Sequence, residues 1–337
     1  MKINMFDWAE QVCSSDKKLA LPIMTHPGIE LTGKTVFDAV TTGEVHFNAI
    51  NALNSSFPAI AATMIMDLTV EAEAFGAEVN FAQHEIPTIR HRLVSDYDSV
   101  EKLVVPECDK ERISQYLLAT KLAAQNITNK PVLAGCIGPM SLAGRLFDMT
   151  EIMTAMFIEP QTIHLLLKKC TSFILNYVNA LKKCGANGLI IAEPAAGLLS
   201  AEMCDEFSSA YIKTIIDEVQ DDSFMVFLHN CGNTGHLTQS MVSTGAKGLH
   251  FGNKIDMVKV LNEVPSNIIV LGNLDPVGIF KMSTPAEVEK STLKLLNDTS
   301  EFKNFIISTG CDTPPNIPIQ NIEAFYSAID KFNSTKI

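Results

Sequence analysis

The sequence predicts an α/β fold, a single (β/α)8 barrel over residues 1–337 with an N-terminal helical extension. Short, nearly continuous apolar runs alternate with longer stretches of helical periodicity, which is typical of parallel strands buried on both faces. Eight such runs can be counted, and eight is the strand number of this barrel. The length of 337 residues suits one barrel, although it would also accommodate two domains. A doubly wound sheet with a second domain is therefore the competing architecture.

The predicted strands are short β-branched or apolar runs that end near Gly, Asn, Asp or His. They are Leu21–Thr25, Ala61–Met66, Val132–Cys136, Gly188–Ala192, Phe224–Leu228, Gly248–Phe251, Ile268–Leu271 and Phe305–Ser308. The clearest predicted helices are Glu159–Lys183, Ala201–Val219, Thr284–Leu296 and Ile317–Phe332. Gly185 follows the first of these helices, where a glycine commonly ends a helix. The segment Ala77–Leu93 contains Pro87 and is predicted to be an extended excursion from the barrel.

The composition argues against several classes of function. The chain has 26 Lys and Arg against 38 Asp and Glu, a formal charge of −12. This charge argues against binding to nucleic acid, which depends on neutralising phosphates, and against docking on anionic lipid. With no run of about 18 apolar residues and no signal-peptide core, we expect a cytoplasmic protein without a membrane span. Its eight cysteines are too scattered for a disulfide scaffold, and reduced thiols are available as metal ligands.

Barrel enzymes place their chemistry at the C-terminal ends of the strands, so polar residues there are candidate site residues. His229 and Cys231 stand two apart after the fifth predicted strand, and Cys311 follows the last one in a Gly- and Pro-rich loop. If both strand ends open on the same mouth, we expect the three to converge. Three such ligands with one exchangeable position are typical of a catalytic zinc site. The alternative for each is burial without a ligand, because free cysteines often simply pack.

Four other residues follow predicted strands and are candidates for the same mouth. Glu193 ends a very apolar strand, where an unpartnered carboxylate is costly. It is a candidate fourth zinc ligand or an acceptor for a bound ligand, with local backbone N–H groups as the alternative partners. Asp67 is a candidate for positioning a substrate, or for capping the helix that begins near Leu68. His26 and Asn273 are further candidates for substrate binding, although Asn273 stands in a segment that first suggests a turn.

Together these residues resemble the uroporphyrinogen decarboxylase superfamily over nearly the whole chain. The closer resemblance is to its branch of zinc-dependent methylcobamide:coenzyme M methyltransferases. The segments that carry it are Thr25–Gly33, Met66–Gly76, Ala192–Pro194, His229–Cys231 and Cys311. The zinc pattern of that branch is H-x-C followed far downstream by a third ligand, a cysteine. The resemblance implies a barrel fold and transfer of a methyl group from a methylated corrinoid to a thiol.

The resemblance also implies the cofactor and the partners. Zn²⁺ would be held by His229, Cys231 and Cys311, with the thiol of an acceptor such as coenzyme M in the open position. The zinc-bound thiolate of the substrate would then be the nucleophile, so no protein general base is assigned. The sequence has no D-x-H-x-x-G signature and no room for a carrier domain. The methylcorrinoid is therefore expected as the methyl-donor substrate on a separate methylated corrinoid protein.

Three alternatives remain open. The first is homocysteine or another thiol as the acceptor, which would use the same zinc. The H-x-C…C pattern also resembles the zinc site of cobalamin-independent methionine synthase. The stretch Gly248–Asn253, however, lacks the zinc-binding Glu of that family. The second alternative is a metal-free lyase of the uroporphyrinogen decarboxylase type. Asp67 falls where those enzymes keep a catalytic aspartate, but Leu21–Gly28 lacks the arginines that grip the porphyrinogen carboxylates. A non-catalytic zinc- or corrinoid-binding module is the third.

Overall fold

The computed structural model describes residues 3–109, 111–232 and 234–335. The strands in this part of the chain are β1 (Ala62–Thr63), β2 (Val79–Asn80), β3 (Thr88–Ile89), β4 (Val132–Ile137), β5 (Gly188–Ala192), β6 (Met225–Asn230), β7 (Gly248–Phe251), β8 (Ile269–Leu274) and β9 (Phe305–Thr309). Seven of them form one curled parallel sheet in the order β1-β4-β5-β6-β7-β8-β9. Since parallel neighbours need crossover connections, helices cover the outside of the sheet. The predicted barrel fold is confirmed.

The helices alternate with these strands along the chain. They are α1 (Met5–Ser14), α2 (His26–Leu31), α3 (Val36–Thr41), α4 (Gly43–Ser56), α5 (Val70–Ala74), α6 (Tyr97–Lys102), α7 (Glu111–Asn126), α8 (Pro139–Phe147), α9 (Met149–Ile158), α10 (Pro160–Lys183), α11 (Ala201–Cys204), α12 (Ala210–Val219), α13 (Thr238–Ser243), α14 (Met257–Glu263), α15 (Pro285–Asp298) and α16 (Ile319–Ser334). Shorter helical turns cover Pro194–Leu198, Asp205–Ser209 and Pro276–Lys281. Across the described residues, no helix combines the length and the apolar character that crossing a membrane requires.

The first predicted strand, Leu21–Thr25, is not a regular strand. Pro22 has no N–H to donate, which interrupts a ladder of backbone hydrogen bonds. One isolated parallel bridge instead forms just before this segment, between Ala20 and Ile307 of β9. On its other side, the carbonyl of Ala20 accepts a hydrogen bond from Ile60 N, just before β1 (3.1 Å). The segment therefore lies between the two edges of the sheet, in the place of an eighth strand.

The other predicted elements lie close to the observed ones. Strands β5 and β7 match their predicted bounds, and β4, β6, β8 and β9 differ by one to three residues at an end, whereas the predicted strand Ala61–Met66 shortens to β1. The predicted helix Ala201–Val219 is interrupted by a wide turn at Asp205–Ser209. The excursion Ala77–Leu93 contains the antiparallel pair of β2 and β3. Local pattern therefore located the elements, and their ends depended on longer-range contacts.

The end of the barrel at which the strands begin is filled with apolar side chains. Leu133, Ile190, Phe227 and Ile306 are 4% exposed or less and belong to one core cluster with residues of α1. The ring of Trp8 on α1 meets Phe227 edge-on, with centroids 6.4 Å apart. Because this end is closed by hydrophobic packing, polar groups inside the barrel collect toward the other end, where the strands finish.

Candidate metal centre

Two strands bring the predicted ligands to one end of the barrel. His229 lies near the end of β6, Cys231 follows that strand, and Cys311 follows β9. The ligand atoms of the three residues all lie within 4.8 Å of one another. Sγ of Cys311 is 3.8 Å from Nε2 of His229. His229 is buried, at 3% exposure, and the two cysteines are half-buried.

The chemistry and the spacing of these groups fit a zinc ion. Zinc bonds to sulfur at about 2.3 Å and to imidazole nitrogen at about 2.0 Å, so two of its tetrahedral ligands stand about 3.5 Å apart. The separation of Cys311 Sγ and His229 Nε2 is close to that value. Among the described residues, no other group of three or more His, Cys, Asp and Glu side chains could hold a metal in this way. One imidazole and two thiols also form a donor set that zinc prefers.

The thiols of Cys231 and Cys311 have pKa values that are shifted in opposite directions. A hydrogen bond with the Cys311 thiol lowers the pKa of Cys231 to about 4. The same hydrogen bond, together with burial, raises the pKa of the Cys311 thiol. The site therefore presents a thiolate at neutral pH before any metal binds, and thiolates are the form that binds metals.

A second histidine, which sequence reasoning did not single out, lies directly behind the first. His250 on β7 is the register partner of His229 on β6. The Nδ1 atoms of the two rings are 2.6 Å apart, and Nε2 of His250 is 2.9 Å from Oγ of Ser308 on β9. Burial lowers the pKa of His250 well below its ordinary value. The only signal in the sequence was a histidine near the end of the next strand, and using it requires the register between the strands.

Glu193 does not join the three ligands. Its carboxylate turns to the N-terminus of α8, where Oε2 accepts from Met140 N (2.9 Å) and Oε1 from Ser141 N (2.6 Å). Burial raises the pKa of this carboxyl to about 7. The backbone N–H groups that Glu193 binds are 52 and 53 residues away in the sequence, not local ones, and a helix N-terminus favours such an acceptor.

Asp67 is held by an arginine that the sequence analysis did not identify. Arg112 of α7 forms a buried ion pair with Oδ2 of Asp67 and also pairs with Glu73. Oδ1 of Asp67 accepts from the backbone N–H of Thr69 (3.0 Å) in a turn just before α5. The N-cap residue of α5 is Thr69, and no side chain caps that helix, so Asp67 does not have the predicted capping role. Arg112 lies 45 residues downstream of Asp67, so no local pattern connected the two. In this arrangement both carboxylate oxygens of Asp67 have protein partners.

The last two candidates support loops at the same end of the barrel. Nδ1 of His26 donates to the carbonyl of Thr313, two residues beyond Cys311 (2.9 Å), and its Nε2 is buried with no partner among the described residues. Nδ2 of Asn273 donates to the carbonyls of Gly252 (2.9 Å) and Ile255 (2.7 Å), which lie in the loop after β7. Neither side chain belongs to the three-residue cluster.

Known proteins similar to this chain include both methyltransferases and decarboxylases. A methylcobamide:CoM methyltransferase, MtbA, of Methanosarcina acetivorans is 28% identical over 270 residues, which cover 76% of this chain and 75% of that protein. A uroporphyrinogen decarboxylase of Pectobacterium atrosepticum is 25% identical over 284 residues, 81% of this chain and 79% of that one. Among solved structures, a methyltransferase from Methanosarcina mazei has the same fold: it superimposes with a TM-score of 0.87, at 22% identity, over 98% of this chain and 99% of its own.

A family model, uroporphyrinogen decarboxylase (URO-D), matches residues 21–332. The match begins at the segment that closes the barrel and ends within α16. It therefore includes every element that positions His229, Cys231 and Cys311, and the chain belongs to the uroporphyrinogen decarboxylase (URO-D) family.

Proposed function

We propose that this chain is a zinc-dependent methyltransferase that moves a methyl group from a methylated corrinoid, carried by a separate protein, to a thiol acceptor such as coenzyme M. The observation that carries the proposal is the convergence of His229, Cys231 and Cys311 at the C-terminal end of the barrel. Family membership alone does not choose between methyl transfer and decarboxylation, because relatives of both kinds share it. The named methyltransferase relative supports the choice that the metal cluster favours.

The residues of the cluster have defined tasks in this proposal. His229, Cys231 and Cys311 would hold the zinc ion through one nitrogen and two sulfurs. Bound there, zinc supplies a positive charge that lowers the pKa of an acceptor thiol. As ligands, the thiolates of Cys231 and Cys311 would offset part of that charge, which would keep an acceptor sulfur electron-rich. Glu193 and Asp67 are engaged with α8 and Arg112, so neither carboxylate is available as a general base.

The metal-free lyase receives less support from the same residues. A decarboxylase of this kind would need the carboxylate of Asp67 for its substrate, and in this structure that side chain is fully buried against Arg112. Such an enzyme would also have to hold a substrate rich in carboxylates, whereas the Leu21–Gly28 segment has no arginine. Both features favour methyl transfer over decarboxylation.

The test measures metal and methyl transfer in the same preparations. Zinc content would be determined by elemental mass spectrometry, and transfer from free methylcobalamin to coenzyme M or homocysteine would be followed by the loss of the methyl–cobalt absorbance. We expect about one zinc per chain, with both metal and transfer lost in Cys311→Ala. Cys184→Ala is the matched control, a half-buried cysteine outside the cluster that should keep both.

The outcomes separate the proposal from its alternatives. Transfer at the wild-type rate in Cys311→Ala would contradict zinc activation. Zinc binding without transfer to any thiol would favour the non-catalytic module. A rate with homocysteine that exceeds the rate with coenzyme M would change the acceptor while keeping the mechanism.

A further inference from the structure

The imidazole of His229 is joined to the opposite part of the barrel wall by a chain of three hydrogen bonds. Its Nδ1 is 2.6 Å from Nδ1 of His250, whose Nε2 is 2.9 Å from Oγ of Ser308. The Ser308 hydroxyl donates in turn to the carbonyl oxygen of Leu21 (2.7 Å). All four residues are 3% exposed or less. Water therefore does not compete for these groups, and each hydrogen bond constrains the next.

The direction of each hydrogen bond follows from counting protons. A carbonyl oxygen only accepts hydrogen bonds, so the Ser308 hydroxyl must donate its single O–H to the carbonyl oxygen of Leu21. The oxygen of Ser308 then accepts a hydrogen bond from Nε2–H of His250. A fully buried imidazole without a carboxylate partner is neutral, which leaves Nδ1 of His250 as an acceptor. Nδ1 of His229 must therefore carry the proton that joins the two rings.

The nitrogen of His229 that carries no proton is therefore Nε2. With its proton on Nδ1, the ring has its lone pair on Nε2, and Nε2 is the nitrogen that faces Sγ of Cys311 at 3.8 Å. A metal needs this lone pair, and a ring that already has the correct tautomer and orientation binds at a smaller entropic cost.

We propose that His250 is a positioning residue: it holds His229 in the Nδ1–H tautomer with Nε2 directed at the metal position, and Ser308 anchors His250. The inference rests on the proposed function, because it assumes that His229, Cys231 and Cys311 bind the ion. It assigns a role to two residues outside the H-x-C…C pattern. Partners of this kind, which orient a metal ligand, typically change metal affinity by about 10- to 100-fold.

The experiment measures metal binding rather than turnover. Zinc affinity of the full chain would be obtained by competition with a chromophoric chelator. The absorption spectrum of the Co²⁺-loaded protein would report the ligand field around the bound ion. His250→Phe keeps a buried ring but cannot accept the hydrogen bond from Nδ1–H of His229. We therefore expect this variant to bind zinc about 10- to 100-fold more weakly and its Co²⁺ absorption bands to shift. His250→Asn places an amide oxygen near the position of Nδ1 and should recover most of the affinity. Ser308→Ala should cause a smaller loss.

A second buried histidine provides the matched control. His46 is 1% exposed, and its Nε2 accepts from Ile65 N (3.0 Å), outside the metal cluster. His46→Phe should leave zinc affinity and the Co²⁺ spectrum unchanged even if it lowers the stability of the fold. Thermal unfolding of the metal-free variants would measure that structural cost separately for each substitution.

A measurement on the unaltered chain does not depend on any variant folding. In ¹⁵N-histidine-labelled, zinc-loaded protein, His229 should show a protonated Nδ1 and a metal-bound Nε2. A metal bound through Nδ1, or a His250→Phe protein with the affinity and Co²⁺ spectrum of the wild type, would overturn the positioning role and leave the proposed function intact. A wild-type chain that takes up no zinc would instead contradict the proposed function, and this inference with it.

Discussion

Sγ of Cys311 lies 3.8 Å from Nε2 of His229, although 82 residues separate them in the sequence. The two side chains are carried by the ends of β9 and β6, with β7 and β8 standing between those strands in the sheet. In a flat sheet, strands three positions apart would be about 14 Å apart. Curvature of the barrel therefore brings His229, Cys231 and Cys311 together, since it turns the ends of distant strands toward a common centre.

Zinc uptake should release about one proton from the two cysteines at pH 7.5. Cys231, whose pKa is lowered to about 4, is already a thiolate, whereas the raised pKa of Cys311 keeps its proton in place until the metal displaces it. Calorimetric titration with zinc in buffers of different ionisation enthalpy counts the protons released. Nearly two protons would instead indicate two independent thiols with ordinary pKa values near 8.5.

Gly252→Ala should weaken metal binding without unfolding the barrel. A Cβ at this position would lie 2.5 Å from the carbonyl oxygen of Cys231 and 3.1 Å from its Cα, so the backbone that carries the ligand must move. We expect zinc affinity to fall about tenfold, measured by chelator competition. Gly235→Ala is the control, because its Cβ would meet only Ile255 Cδ1, at 3.8 Å. Equal affinities for the two variants would show that the position of Cys231 tolerates this displacement.

Arg112→Met should lower the free energy of unfolding by about 3 kcal/mol or more. The substitution leaves Asp67 buried without its counter-charge, and breaking a buried ion pair is costly for that reason. The double variant Asp67→Asn/Arg112→Met should recover part of the loss. Urea unfolding measures all three proteins. Lys331→Met is the control, because it removes an exposed pair with Glu289 and should cost less than about 1 kcal/mol. Equal losses in Arg112→Met and Lys331→Met would contradict a structural role for the buried pair.

Glu193→Gln should change how stability depends on pH. Burial raises the pKa of Glu193 from 4.5 to about 7, so its contribution is fully present below pH 4.5 and is lost as the pH rises through about 7. Between pH 4.5 and 7.5, the wild type should therefore lose up to about 3 kcal/mol more than the variant. Urea unfolding at several pH values tests this. Glu151→Gln, at an exposed position, should follow the wild type, and a Glu193→Gln curve parallel to the wild type would argue against a raised pKa.

The residue pattern alone predicts the class of fold and three candidate metal ligands. Runs such as Gly188–Ala192 are apolar along their whole length, and a strand covered on both faces must have that composition. The H-x-C pair after one such run and Cys311 after another marked the same end of a barrel. Residue type, local periodicity and position after a strand are all present in short stretches of sequence, so these features needed no knowledge of distant contacts.

The partner of each polar group follows from the three-dimensional packing and not from the local sequence. Glu193 binds the N-terminus of α8, Asp67 binds Arg112, and His250 supports His229, and each partnership joins segments far apart in the sequence. The segment around Ala20 closes the barrel by pairing with β9 on one side and with Ile60, just before β1, on the other. These outcomes depend on strand register and on the direction of each side chain, and both are set by packing across the whole barrel.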